Sequence, residues 1–143
     1  MLLVDDHLLL DVLLVGRFPT LRRALGAGQL ATTGLWYYRL CQAVTSERVR
    51  GRLSGPLTSL PSAQQQSAGR TVVALPPEIT LLSLRQVAPT MAALVQGHRL
   101  NAIGLEALAA ATLLDAEIHV AKTNDGPLLR AAAKAEGVRL VAR

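Results

Sequence analysis

Apolar residues fall in short blocks along this chain, and the spacing inside each block switches between a strand's and a helix's. Leu2-Leu3-Val4 reads as a short, fully buried strand ended by Asp5. Residues 7–15 carry apolar positions at helical spacing, with Asp5 or Asp6 as the cap. Pro19 to Leu25 predicts a second short helix, with proline at its start and Gly26-Ala27-Gly28 at its end. Gln29 to Thr32 predicts a strand. Thr33 to about Val44 predicts a helix with Trp36, Tyr37, Leu40 and Cys41 on its apolar side.

The second half is more regular. Thr71 to Leu75 reads as a strand, Pro76-Pro77 as a turn, and Ile79 to Leu82 as an extended or helical piece. Val87, Met91, Leu94 and Val95 follow helical spacing, but Pro89 blurs the start because proline prefers the first turn. Asn101 caps a helix from Ala102 to Leu114, Glu117 to Ala121 reads as a strand, and Asp125 or Gly126 opens a helix from Pro127 to Glu136. Gly137 ends that helix, and Val138 to Val141 is a last strand. Alternating helices and strands imply a parallel sheet with helices on its faces. The expectation is one α/β domain over residues 1–143. Residues 51–69 stand apart: they are rich in Gly, Ser, Pro and Gln, with Arg52 the only charge, and read as a mobile loop.

Composition narrows the picture. A chain of 143 residues is long enough for a real core. Half of it is hydrophobic but only four residues are aromatic, so Leu, Val, Ile and Ala must build that core. Thirteen of the 15 basic residues are arginine, and the net charge is +5. Guanidinium groups suit phosphate, so a polyanion partner is permitted, although GC-rich coding produces the same bias. Seven arginines and one acid, Glu47, fall between residues 17 and 52. Cys41 is the only cysteine, which excludes an internal disulfide and a cysteine metal cage. Asp5, Asp6 and Asp11 interrupt the apolar start, which also lacks a basic leader region. No stretch reaches the ~18 apolar residues of a membrane span. A cytoplasmic protein is expected.

In a parallel α/β sheet the site lies beyond the carboxyl ends of the strands. Asp5 and Asp6 follow the first strand, and Asp125 lies in the loop after the strand at 117–121. Glu106 lies in the first turns of the helix before that strand. Carboxylates gathered in this way hold Mg²⁺ or Mn²⁺, which prefer hard oxygen ligands and can activate water toward a phosphodiester. Each has a plainer role available: Asp5, Asp6 and Asp125 as helix caps, Glu106 as a solvated helix residue. His7, His98 and His119 show no metal-ligand spacing, and His119 reads as structural or exposed. Asp11 is expected to face solvent. No phosphate-cradling glycine loop, Gly-x-Ser-x-Gly or His-Glu-x-x-His is present.

Four segments in order resemble the PIN domain, the fold of VapC-type toxins and related metal-dependent ribonucleases. Leu2-Leu-Val-Asp5-Asp-His-Leu-Leu resembles the family's first strand and leading aspartate. Leu30-Ala-Thr-Thr-Gly-Leu-Trp-Tyr-Tyr-Arg-Leu40 resembles the segment bearing the second acid, a glutamate. Glu106-Ala-Leu-Ala-Ala-Ala111 resembles the helix opened by the third acid, usually aspartate. Thr123-Asn-Asp125 with Leu128-Leu-Arg-Ala-Ala132 resembles the closing motif. The resemblance implies a three-layer α/β/α fold with a central, mostly parallel sheet. It also implies an endoribonuclease of the toxin–antitoxin type, a Mg²⁺ or Mn²⁺ site and a cognate antitoxin. Asp5, Glu106 and Asp125 would be catalytic, and Asp5, Asp6, Glu106 and Asp125 would be metal ligands.

Two departures qualify this. Arg39 stands where the family has its glutamate, and Glu47 lies two turns further on. Asp125 sits two residues further from its strand than the family pattern places it. Arg39 paired with a carboxylate such as Asp5 would give a catalytically silent PIN-like module that acts by binding RNA or protein. Under the ribonuclease reading, Arg17, Arg22, Arg23, Arg48, Arg50 and Arg52 would track RNA. Trp36-Tyr37-Tyr38 cannot all face one core from a helix, so one is expected at the surface. A homodimer is expected under either reading.

Overall fold

The computed structural model describes residues 1–45 and 62–143. Glu47, Arg48, Arg50, Arg52 and the 51–61 part of the expected loop lie outside the described residues. The described chain runs β1 (Leu2–Val4), α1 (Asp6–Leu14), α2 (Pro19–Gly26), β2 (Leu30–Thr33) and α3 (Gly34–Thr45). It resumes with α4 (Ser62–Ala74), β3 (Ile79–Leu82), α5 (Leu84–Leu94), α6 (Ala102–Leu114) and β4 (Glu117–Val120). A 3₁₀ turn at Lys122–Asn124, α7 (Pro127–Ala135) and β5 (Leu140–Ala142) complete it. Among the described residues no helix is long and apolar enough to cross a membrane.

All five strands are parallel, in the order β3-β2-β1-β4-β5. The strands are short runs of Leu, Val, Ile, Ala and Thr with both faces covered, as parallel sheets require. On one face, Leu3, Ala31, Ile118 and Val120 pack against α5, α6 and α7 through Val87, Leu105, Leu108 and Ala133. On the other, Val4, Leu30 and Ile79 pack against α1, α2, α3 and α4 through Leu9, Leu21, Leu40 and Val72. This is the three-layer α/β/α arrangement with a central parallel sheet that the alternating pattern implied. Helix α6 is buried from Gly104 through Ala111, and its alanines let it press against the sheet and three neighbouring helices at once.

The order of strands decides where a site can form. From β1 the chain moves outward to β2 and β3, then returns to place β4 on the opposite side of β1. The carboxyl ends of β1 and β4 therefore flank the switch point, where a crevice opens in such sheets. Asp5 leaves β1 there, and its backbone N–H is tied to the His119 carbonyl of β4 at 3.1 Å.

Two expectations are corrected, and two open readings are resolved. Thr71 to Leu75 is not a strand; α4 runs through it to Ala74, and residues 62–69 of the expected loop are helical too. The β-branched run Thr71-Val72-Val73 favours a strand locally, but tertiary packing overrides that preference. Val72 is buried under α1 and α3, and the Tyr37 hydroxyl donates to the Val73 carbonyl at 2.7 Å. Ile79 to Leu82 is extended and pairs with β2. Helix α5 begins at Leu84, so Pro89 lies inside it. Its start was marked by Ser83, whose N–H and hydroxyl both donate to Gln86 Oε1 at 2.8 Å.

Candidate functional site

Asp5 is the first residue beyond β1, and it is fully buried. Its Oδ1 caps α1 by accepting the Leu8 N–H at 2.9 Å. Its Oδ2 accepts the Ala121 N–H at 2.8 Å and the Asn124 amide Nδ2 at 2.7 Å. Burial pushes its pKa above the usual carboxylate value of 3.8, and the neighbouring Asp6 adds to this; the three donors pull the other way without prevailing.

Asp6 opens α1 and is equally buried. Its Oδ1 accepts Asn124 Nδ2 at 2.9 Å and the His7 N–H at 3.1 Å. Its Oδ2 lies 3.0 Å from Arg39 Nε, yet it makes no hydrogen bond. The contact is therefore Coulombic, with no N–H aimed along the bond line. Arg39 reaches it from α3, so the partner of the arginine is Asp6 rather than Asp5.

Glu106 is fully buried in α6. Its Oε2 accepts the Leu35 N–H at 2.9 Å, which satisfies one of the open donors at the start of α3. The positive end of that helix favours the carboxylate. Gly34 leaves room for it: a Cβ there would stand 3.3 Å from Glu106 Oε1. Oε1 itself has no partner. Glu106 is thus not solvated; it joins α6 to α3.

Asp125 accepts Arg130 Nη2 on Oδ2 at 2.7 Å, and its Oδ1 is buried without a hydrogen-bond partner. The tight 3₁₀ turn after β4 places Asn124, one residue earlier, over Asp5 and Asp6. Of the four acids expected to converge, the structure brings Asp5 and Asp6 together and completes the cluster with an amide and a guanidinium.

A divalent ion requires lone pairs that converge on one point. Both oxygens of Asp5 already accept N–H groups, and Asp6 faces a cation. Glu106 and Asp125 each have one oxygen bonded to an N–H and one without a partner. Among the described residues no group of three or more His, Cys, Asp or Glu side chains is placed to hold a metal. With N–H donors on both Asp5 oxygens and Arg39 beside Asp6, this pair by itself does not fit Mg²⁺ or Mn²⁺. Arg39 and Asn124 instead form the polar end of a cavity of about 310 Å³, walled by Trp36, Leu100, Leu128 and Leu129.

Two residues lie outside the expected set. Asp11 is buried, not solvent-facing, and accepts both the backbone N–H and the guanidinium of Arg17. The signal was Gly16-Arg17 just past the end of α1, where Gly16 at φ 72° turns the chain back. His119 is buried between Glu117 Oε2 at 3.2 Å and Arg143 Nε at 2.9 Å, in line with a structural role. Burial pushes its pKa below 6.5. The aromatic run divides as a helix demands: Trp36 is buried, Tyr37 half-buried and Tyr38 exposed.

No protein-family model matches the sequence, and no curated protein matches it.

Proposed function

We propose that this chain is a PIN-like module whose acid pocket is held shut by its own side chains, and that it acts by binding RNA rather than cutting it. The observation that carries this reading is Arg39 beside Asp6, with Asn124 bridging Asp6 and Asp5. A cation and an amide take the places that a metal-dependent hydrolase would give to ligands. Support for RNA comes from the net charge of +5 and the arginine-rich first half. Arg17, Arg22 and Arg23 are exposed around α2.

A second reading, the Mg²⁺- or Mn²⁺-dependent endoribonuclease of the VapC toxin type, rests on three buried oxygens without hydrogen-bond partners, Asp6 Oδ2, Glu106 Oε1 and Asp125 Oδ1. All three are lone pairs kept from water, which a cation would satisfy.

Purified protein incubated with labelled single-stranded RNA, with and without Mn²⁺, separates the readings. The first expects salt-sensitive binding with the RNA left intact. Cleavage abolished by both EDTA and Asp5→Asn would establish the second, and absence of binding at low salt would refute the first.

A further inference from the structure

We propose a phosphate-binding seat beside the turn that follows β4, in a cleft lined by His7, Arg17, Lys122, Thr123 and Arg143 and sharing no lining residue with the Arg39 cavity. The cleft has a volume of about 290 Å³, near the lower end for small-molecule sites, which suits a phosphate with part of its sugar. Four separate parts of the chain supply its basic groups: the start of α1, the loop after α1, and the ends of β4 and β5.

Charge is the first argument. Among the side chains lining the cleft, in the described residues, there are three cations and a histidine, and no acid. Two carboxylates bonded to its lining residues are sealed behind it. Asp11 is buried and spends its charge on Arg17. Asp5 is buried behind Ala121 and accepts that residue's N–H. Lys122 and Arg143 therefore remain as an excess of like charge, which an oxyanion relieves.

Geometry is the second. Arg143 donates from Nε to His119 Nδ1 at 2.9 Å, so its orientation is set by a buried ring held in turn by Glu117. Burial lowers the His119 pKa, which favours the neutral ring that can accept that bond. The Arg17 and Arg143 guanidinium carbons each stand 5.9 Å from the centre of the Phe18 ring. Two arginines oriented in advance around one ring lose little side-chain freedom on binding. Lys122 and Thr123 are exposed at the rim, and the Lys122 N–H is tied to the Arg143 carbonyl at 3.0 Å.

The chemistry recognised is a phosphate group, either in an oligonucleotide or as free inorganic phosphate. The first source rests on the RNA-binding reading; the seat itself does not require it. The test follows the anisotropy of a fluorescent single-stranded RNA ten-mer across a salt series, for wild type, Lys122→Gln, Arg143→Gln and Lys134→Gln. Lys134 lies on α7 away from the cleft and serves as the control. The seat predicts that Lys122→Gln weakens binding roughly tenfold at low salt and flattens the salt slope by about 0.7, with no change for Lys134→Gln. Arg143→Gln follows Lys122→Gln if its melting curve stays cooperative. Lys122→Gln is the decisive variant because that side chain is exposed.

In parallel, amide shifts of Lys122, Thr123 and Arg143 are followed by NMR as inorganic phosphate is added to the wild type. RNA binding with equal effects at Lys122 and Lys134 overturns the seat and leaves the RNA reading intact. Phosphate shifts confined to the cleft without RNA binding overturn the RNA reading and leave the seat. Neither signal overturns both.

Discussion

Arg39 Nε lies 3.0 Å from Asp6 Oδ2, and while the arginine is about one-third exposed the aspartate is sealed. The two ends of the pair are therefore unequal. Removing the arginine leaves a buried charge, whereas removing the aspartate releases a side chain that water already reaches. Arg39→Gln is expected to cost about 2 kcal/mol, below the ~3–5 kcal/mol of a fully buried pair. Asp6→Asn is expected to cost less, because the amide keeps an acceptor for Asn124. Paired chemical denaturation curves check the order of the two; equal losses would contradict the asymmetry.

Asn124 holds two carboxylates that would otherwise repel each other. Asn124→Ala removes the bonds to Asp5 and Asp6 together and is expected to cost about 1–3 kcal/mol. Asn124→Asp replaces a donor with a third buried acid. Its stability is expected to fall as pH rises through the carboxylate range and to recover when Mn²⁺ is added. Thermal melts at several pH values, with and without Mn²⁺, provide the measurement.

Glu106 and Gly34 form a second, separable contact. Glu106→Ala strips the cap from the Leu35 N–H and is expected to cost about 1–2 kcal/mol. Gly34→Ala pushes a methyl to 3.3 Å from Glu106 Oε1 and 3.5 Å from the Leu82 carbonyl. A loss of about 1 kcal/mol is expected from that crowding. In the double variant Gly34→Ala/Glu106→Ala the two losses should sum to less than their total, since the crowded oxygen is gone.

His119 makes stability depend on pH. Its folded pKa lies below 6.5, so below that pH the unfolded chain takes up a proton that the folded chain refuses. Stability then rises with pH up to about 6.5 and levels off above it. Asp5 acts oppositely in its own window: its raised pKa means stability is lost as pH rises above 3.8. The His119 contribution is isolated as the difference between wild type and His119→Gln, which should shrink in slope above pH 6.5. A difference that is flat from pH 5 to 8 would contradict a buried, neutral ring.

Much of the fold was legible because its elements are locally consistent. Leu2-Leu-Val before Asp5, Asn101 before the alanine-rich helix, and Pro127 through Gly137 each combine an apolar period with a stop or start signal. What local pattern cannot carry is a contact made across the fold. Val72 becomes helical because of what α1 and α3 place above it. Asp11 is buried because Gly16 turns Arg17 back onto it. The site shows the same division. Asp5 at the end of a strand could be read, and so could the oddity of Arg39. Whether Asn124 or Asp125 faced Asp5 depended on one 3₁₀ turn, which no periodicity encodes.

The central claim is that Arg39 and Asn124, not a metal, hold the charge of Asp5 and Asp6. Isothermal titration of the wild-type protein with Mn²⁺ at neutral pH tests it most directly. The account predicts no stoichiometric heat for wild type. One Mn²⁺ bound per chain in the wild type, lost on Asp5→Asn, would contradict it.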